Sequence, residues 1–336
     1  MGFGINQITA GLEHLGVLEA TPGIKVVLIT IITALATVSV VTGLDKGIAF
    51  PSRANLALAA LFLVGVLILG PTLFILRDLI ASIGNYVQNF VSLSFQTFPF
   101  YGEAGASWLA GWTTNYWAWW ISWSPFVGVF IARISRGRTV REFLVGVLLV
   151  PTLMTIVWFS VLGGAALHRE IFGGGGIIDD GAVDTDTALF DLLATMPGSA
   201  LLSGIAITLV VIFFVTSADS GAFVVDMLAN GGNPTPPVWS RVMWAVLSGS
   251  IAAVLIWAGA NSSSDMPGAN TVGMAALQAL TLLAATPFSL VMVAMAFATV
   301  KALRADHAQW QAAQDRATRR ELVRDTAERV LERPNG

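Results

Sequence analysis

The chain contains eleven tryptophans, and six of them fall within sixteen residues of one another. With about 100° of rotation per residue of an α-helix, this segment places a run of aromatic side chains on one face. That face consists of Trp108, Trp112, Tyr116, Trp119, Trp123, Phe126 and Phe130, with Trp120 at its edge and Trp117 on its flank. Aromatic faces usually serve helix packing, and they also provide binding surfaces for organic cations.

The chemistry of an aromatic face suits a quaternary ammonium ion. Such an ion has no N–H group to donate, so it is held by cation–π interactions of about 0.5–2 kcal/mol each. The aromatic run ends at Ser124 and Pro125. Because Pro125 lacks an N–H and its ring clashes with the carbonyl of Ile121, we expect the helix to bend or open there. Carbonyls freed in this way, next to hydroxyls, form cation sites in discontinuous transporter helices.

A second chemically distinctive segment is FFVTSADS at residues 213–220. Thr216 and Ser217 share a helix face with Phe213 and offer the hydroxyl oxygens that Na⁺ requires. The alternative is that these hydroxyls bond back to carbonyls of the preceding helical turn. Asp219 lies near the middle of an apolar run, where an aspartate costs about 2.5–3.5 kcal/mol. We therefore expect Asp219 to face the interior of the protein, in a functional role or as a hydrogen-bonded or protonated structural residue.

The composition identifies an integral membrane protein. Of the 336 residues, 55% are hydrophobic and 12% are charged, whereas soluble domains carry about 25% charged residues. The mean hydropathy is +0.74. Since the chain has no cysteine, disulfide frameworks, thiolate zinc sites and iron–sulfur clusters are excluded. The net charge of −3 without a basic stripe argues against nucleic-acid binding, and no catalytic constellation indicates an enzyme.

The apolar runs are long enough to cross a bilayer as helices, which takes about 20 residues. The sequence predicts seven full spans, near residues 24–43, 54–76, 105–132, 142–166, 201–228, 240–259 and 273–300. Residues 79–102 are uncharged, and their apolar residues recur with a helical period opposite a polar face. This pattern predicts an amphipathic helix at the membrane interface, with an eighth span as the alternative.

Charge in the loops predicts the orientation. The loop 133–141 contains four arginines, which places it in the cytoplasm, and the loop 167–199 is acidic and falls outside. The tail 301–336, with eight basic and six acidic residues, then forms a cytoplasmic helix. Residues 1–20 supply only part of a span, so we expect the chain to begin partway through a membrane helix, through missing upstream sequence or an internal methionine taken as the start.

Several of these segments together resemble the betaine/carnitine/choline transporter (BCCT) family. The similarity is most specific in residues 111–160, with the aromatic helix, the Ser-Pro-Phe break and the basic loop Arg-Ile-Ser-Arg-Gly-Arg. GFGINQITAGL at 2–12, GNYVQNF at 84–90 and FFVTSADS also resemble the family, and the likeness covers residues 1 to about 300.

The resemblance implies an all-α membrane protein with a LeuT-like core of two inverted five-helix repeats, truncated at its N-terminus. Residues 1–76 would be the remnant of the first repeat, with a partial fifth helix and two spans. Residues 77–104 would be the interfacial helix, 105–300 the complete second repeat, and 301–336 the cytoplasmic tail. The family also implies a homotrimer in the plasma membrane.

Roles for individual residues follow from the same resemblance. Trp120 would form one wall of an aromatic box around the trimethylammonium group, Trp119 and Trp123 would line the permeation path, and Trp117 would support them. Phe213, Thr216 and Ser217 match one Na⁺ site of the family. Phe126 matches part of a second Na⁺ site. Because each site draws on helices upstream of Met1, both are expected to be incomplete in this chain.

The sequence thus predicts a secondary transporter for a quaternary ammonium compatible solute such as glycine betaine, choline or carnitine, working by alternating access. Na⁺ is the expected coupling ion, because the Thr216–Ser217 pair favours Na⁺ coupling over substrate exchange; H⁺ coupling is the alternative. No other cofactor is expected. This polypeptide alone is expected not to transport. The alternative is a membrane-embedded binding or sensory protein that signals without transport.

Overall fold

The computed structural model describes residues 2–42, 49–178, 181, 183–233, 235–260 and 272–331. Every regular element within these ranges is helical. In chain order the α-helices are α1 (Gly2–His14), α2 (Pro22–Thr42), α3 (Ala49–Leu69), α4 (Thr72–Ser94), α5 (Gly102–Trp108), α6 (Asn115–Ile134), α7 (Val140–Leu144), α8 (Val150–Phe172), α9 (Ala188–Ala194), α10 (Ser199–Ala229), α11 (Val238–Ala260) and α12 (Val272–Leu331). π-Helical segments at Leu109–Thr114 and Val145–Leu149 join α5 to α6 and α7 to α8.

Six helices in the described part of the chain are long and apolar enough to cross a membrane. They are Pro22–Val41, Pro51–Leu69, Val140–Phe172, Ser199–Ala229, Val238–Gly259 and Ala279–Arg324. Large apolar side chains remain exposed along all of them. In water such a surface would drive aggregation, whereas a bilayer accepts it. The prediction of an integral membrane protein is therefore confirmed.

The predicted span at 105–132 is helical but is not one of these six. α5, the π-helical segment and α6 cover Gly102–Ile134 without interruption. The tryptophans, tyrosine and polar residues of this segment lower its hydropathy, because their side chains carry polar groups that favour the membrane interface. Its length fits a span, and its passage through the membrane stays a prediction.

The predicted span at 54–76 is wrong at its C-terminal end. α3 ends at Leu69, and a new helix starts at Thr72, seven residues before the predicted interfacial segment at 79–102. Pro71 causes this break because it has no N–H to continue the helix. The Thr72 hydroxyl donates to the carbonyl of Leu67 at 2.6 Å and so satisfies one of the exposed carbonyls of α3. The interfacial position of α4 stays a prediction.

The tail is helical, as predicted, and is continuous with the preceding span. α12 runs through residue 301 without interruption and contains 60 residues, which corresponds to a length of about 90 Å. Parts of three predicted segments lie outside the described residues. These are residues 332–336 of the tail, Lys46 of the inner loop and residue 43 of the first span. The division of the chain into two inverted repeats also stays a prediction.

The main apolar core lies around α10. Its buried members come from α10 itself and from the helices packed around it, for example Ile8 of α1, Ile32 of α2, Phe62 of α3 and Phe190 of α9. α1 approaches α10 closely because it presents glycine there. A Cβ atom at Gly11 would lie 2.4 Å from the Phe190 ring and 2.8 Å from Ile207.

We expect Gly11→Ala to destabilise the protein. The Phe190 ring is 1% exposed and cannot swing away from the added methyl group, and overpacking of this kind costs about 1–3 kcal/mol. Thermal unfolding in detergent, followed by tryptophan fluorescence, would show a lower midpoint. Gly204→Ala in α10 is the matched control, since no neighbouring atom lies within 4 Å of the position that its added Cβ would occupy. An equal effect of both variants would contradict this packing.

Candidate functional site

The aromatic segment is built on a helix whose hydrogen-bond pattern changes partway. The π-helical turn Leu109–Thr114 separates Trp108 from the tryptophans of α6, and π-helical turns occur frequently at functional sites. A π-helical turn contains one more residue than an α-helical turn. It therefore rotates Trp108 relative to the aromatic residues that follow it. Trp108 contacts Phe98, which precedes α5, edge to face with 4.9 Å between ring centroids.

Other rings of the π-helical segment and α6 form two groups of contacts. Trp112 stacks on Tyr116 with 5.7 Å between centroids and an interplanar angle of 2°. Tyr116 in turn lies 6.4 Å from Trp119, and Trp120 contacts Trp123 edge to face at 6.0 Å. The aromatic face predicted from the sequence is thus present from Trp112 onwards.

A groove of about 680 Å³ lies beside these rings, between α6 and the end of α4. Its lining residues are Leu93, Ser94, Gln96, Trp108, Trp112, Thr113, Tyr116, Trp117 and Trp120. Two of the four predicted substrate-binding tryptophans, Trp117 and Trp120, therefore share one groove. Trp119 and Trp123 are not part of its lining; Trp123 contacts the lining residue Trp120.

The groove is open. Trp117 is 66% exposed and Trp120 is 62% exposed, so within the described residues these rings form a surface and not a closed box. A surface of this kind offers ring faces to a cation from one side. The volume accommodates a small organic ion, since ligand pockets generally measure about 300–1,000 Å³.

Of the two predicted effects of Pro125, a bend or an opening, the opening is absent, because α6 continues through this proline to Ile134. The bend stays a prediction. The physical reason for the absent opening is that neighbouring hydroxyls take over the hydrogen bonds. Ser124 donates to the carbonyl of Ile121, and Ser122 donates to that of Trp119, both at 2.9 Å. The carbonyl that the proline frees therefore already has a donor.

The Thr216 hydroxyl bonds to its own helix, which is the alternative reading of the second segment. It is buried and donates to the carbonyls of Ile212 and Phe213 at 2.9 and 3.0 Å. Its oxygen retains lone pairs for a cation, because a hydroxyl donates one hydrogen and accepts at two sites. Phe213 and Ser217 are exposed on the same helix.

Phe126 has a packing role in this structure. It is half-buried, contacts Phe288 edge to face at 6.2 Å, and packs against a small cluster of Phe223, Val224 and Met227. α6 and α10 are thereby joined on their inner faces. The expected role of Phe126 in a second Na⁺ site stays a prediction.

Asp219 faces the interior of the protein, as predicted. It is 1% exposed and accepts a hydrogen bond at 2.5 Å from the hydroxyl of Ser39 in α2. Its other oxygen, Oδ1, is buried without a hydrogen-bond partner among the described residues. No group of three histidine, aspartate or glutamate side chains suited to a metal ion occurs in the described part of the chain.

Sequence reasoning missed a cluster at one end of α6, α10 and α11. The guanidinium groups of Arg133 and Arg241 lie over the ring of Phe223, at 4.9 and 4.7 Å from its centroid. One turn further along α10, the fully buried Asp226 accepts from the hydroxyl of Ser240. The available signal was the spacing of Asp226, seven residues after Asp219, which puts both carboxylates on one helix face.

We expect Phe223→Leu to destabilise the protein by about 1–3 kcal/mol, because it removes both cation–π interactions and reduces the buried volume. The midpoint of thermal unfolding in detergent measures this loss. Phe297→Leu is the matched control, since Phe297 is 75% exposed. Equal midpoints for the two variants would show that the arginines gain nothing from the Phe223 ring.

Comparison with known proteins gives consistent matches over nearly the whole chain. Residues 1–308 match the model of the BCCT, betaine/carnitine/choline family transporters. An uncharacterized transporter of Mycobacterium tuberculosis is 47% identical over 306 residues, which cover 91% of this chain and 49% of the relative.

Two further relatives carry a substrate in their names. The glycine betaine transporter of Acinetobacter baylyi is 42% identical over 95% of this chain and 46% of the relative. The glycine betaine transporter OpuD of Bacillus subtilis is 41% identical over 88% of this chain and 54% of the relative. The chain spans about half the length of the curated relatives that it matches.

Proposed function

This chain belongs to the betaine/carnitine/choline transporter family, and from that premise we propose that it serves in the secondary active transport of a quaternary ammonium compatible solute. Glycine betaine is the first candidate, with choline and carnitine as chemical relatives. The observation that carries the proposal is the open groove in which Trp117 and Trp120 lie together with Trp112 and Tyr116. Relatives named glycine betaine transporters support the choice of substrate.

The groove suits a trimethylammonium group for chemical reasons. The ion is large, carries a diffuse positive charge and cannot donate a hydrogen bond, so aromatic faces attract it at little desolvation cost. In this proposal Trp120 holds the ammonium group, Trp117 supports that ring, and Trp119 and Trp123 line the path that the substrate follows. Ser94 and Gln96 also line the groove and offer polar groups to the other end of the same molecule.

Na⁺ is the proposed coupling ion. Thr216 and Ser217 would hold it through their hydroxyl oxygens, next to Phe213, and Phe126 would belong to a second site. The donor chemistry fits, because Na⁺ takes neutral oxygen ligands and Thr216 keeps lone pairs free while it donates to its own helix. When bound, the ion supplies positive charge that favours the substrate-competent conformation of an alternating-access cycle.

Assembly and location belong to the proposal as well. We infer a homotrimer in the plasma membrane, with the tail from Lys301 in the cytoplasm. The family supports the trimer, and the arginine-rich loop 133–141 supports the orientation, since cytoplasmic loops carry an excess of basic residues.

Substrate binding provides the first test. Titration of glycine betaine into the detergent-purified chain in Na⁺ buffer is expected to quench tryptophan fluorescence with saturation. Trp120→Ala should weaken binding by about two- to thirtyfold, because it removes one cation–π interaction of about 0.5–2 kcal/mol. Trp310→Ala, in the exposed tail helix, controls for the loss of a fluorophore.

Glycine is the matched ligand control, since its ammonium group is unmethylated and remains strongly hydrated. Quenching by glycine at the same concentrations, or unchanged affinity in Trp120→Ala, would contradict binding at the aromatic groove. A receptor without transport would bind glycine betaine independently of Na⁺, which separates that alternative from a Na⁺-coupled transporter.

The proposed Na⁺ ligands can be tested with the same measurement, the quenching of tryptophan fluorescence by glycine betaine. We expect Thr216→Ala to raise the Na⁺ concentration that gives half-maximal betaine binding, because one oxygen ligand is lost. Thr208→Ala in the same helix is the matched control, as Thr208 makes the same kind of bond to its own helix, at 2.8 Å to Gly204. A similar shift in both variants would assign the effect to the helix and not to a cation ligand.

A further inference from the structure

A buried hydrogen bond joins α2 to α10 in the interior of the protein. The Ser39 hydroxyl donates to Asp219 Oδ2 at 2.5 Å, although the two residues are 180 positions apart in the sequence. Ser39 is 7% exposed and Asp219 is 1% exposed, so the bond lies away from solvent and lipid. Beside it, Val40 of α2 packs against Ala222 of α10 and Ala245 of α11.

The hydropathy pattern of α10 by itself does little to fix how the helix is rotated about its own axis. Its apolar side chains occupy the whole circumference, with hardly any preference for one face. A helix that is apolar on every side buries a similar area in several rotations. In a bilayer the polar residues then determine the rotation of the helix, because an aspartate turned towards lipid costs about 2.5–3.5 kcal/mol.

Because the helix around Asp219 is regular, the rotation of Asp219 also determines where the nearby residues Thr216 and Ser217 lie. Ser220 donates to the carbonyl of Thr216 at 2.9 Å, and Thr216 donates to two carbonyls of the preceding turn. Residues 212–220 are therefore held as one regular helical unit. With Asp219 held against α2, Thr216 is buried and Ser217 is exposed.

We propose that Asp219 is a positioning residue, and that its hydrogen bond to Ser39 sets the rotation of α10 and thereby the direction in which Thr216 and Ser217 point. A side-chain oxygen that accepts the Ser39 hydroxyl hydrogen suits this role, because the bond holds one face of α10 against α2. The rotation itself is independent of any ligand. Its consequence for a cation at Thr216 and Ser217 rests on the proposed function.

The absence of cysteine from the chain makes the rotation measurable with single cysteines. Ser217→Cys reports the exposed face of α10 and Ala222→Cys, at a position 4% exposed, reports the buried face. In the folded chain in detergent, N-ethylmaleimide should modify residue 217 faster than residue 222. Ser39→Ala should reduce this rate ratio by about two- to tenfold, the range that the loss of one hydrogen bond allows.

Matched variants separate the hydrogen bond from general damage to α2 or α10. Thr37→Ala removes a hydroxyl that bonds within α2, to the Thr33 carbonyl at 2.8 Å, and should leave the ratio unchanged. Asp219→Asn should also preserve it, because the amide oxygen accepts the same bond. The exchanged pair Ser39→Asp with Asp219→Ser should restore the ratio of the unmodified chain.

An unchanged ratio in Ser39→Ala would overturn the proposal, and so would an exchanged pair that behaves like Ser39→Ala. If Ser39→Ala does not fold, Asp219→Ala removes the acceptor of the same bond and should reduce the ratio; an unchanged ratio in that variant would equally overturn the proposal. A final comparison concerns function: Ser39→Ala, unlike Thr37→Ala, should raise the Na⁺ requirement for betaine binding. Absence of Na⁺-dependent binding in the unmodified chain would contradict the proposed function, while the labelling ratio would still test the rotation.

Discussion

A hydrocarbon environment offers no hydrogen bonds, so the backbone polar groups inside this protein must find their partners within the chain. Side-chain hydroxyls meet this need repeatedly. The Thr72 hydroxyl donates to the Leu67 carbonyl where Pro71 separates α3 from α4, and the Ser124 hydroxyl donates to the Ile121 carbonyl that Pro125 frees. The two buried aspartates of α10 likewise accept hydrogen bonds from serines of neighbouring helices. The same requirement thus governs the helix ends, the aromatic helix and the contacts between helices.

α10 is the element on which these constraints meet. It supplies much of the apolar core, receives α1 through the close approach at Gly11, and carries the segment with Thr216 and Ser217. Because its apolar residues surround the whole helix, packing and polar contacts have different tasks. Packing holds the helix in the bundle, and the Ser39–Asp219 bond is the contact that we propose to give it an orientation. The aromatic helix α6 then joins it through the cluster of Phe126 and Phe223.

The sequence predicted the helices well and the functional groups in part. Of the seven predicted spans, six correspond to apolar helices of spanning length, and the aromatic span forms a helix with a π-helical turn. Trp117 and Trp120 do lie in one groove. The break at Pro71 and the start of α4 were misplaced because a short apolar run continued past the proline. The Arg133–Phe223–Arg241 cluster was missed because its three members are distant in sequence.

Composition and the length of the apolar runs by themselves determined that this chain is an all-helical membrane protein, because bilayer thickness sets the number of residues that a helix needs to cross it. The motifs of residues 111–160 and 213–220 likewise determined its family. Only the tertiary structure decided which polar groups meet, as between Ser39 and Asp219, or over the ring of Phe223. Periodicity specifies the face of a helix, but the partner of that face depends on how helices from distant parts of the chain pack together.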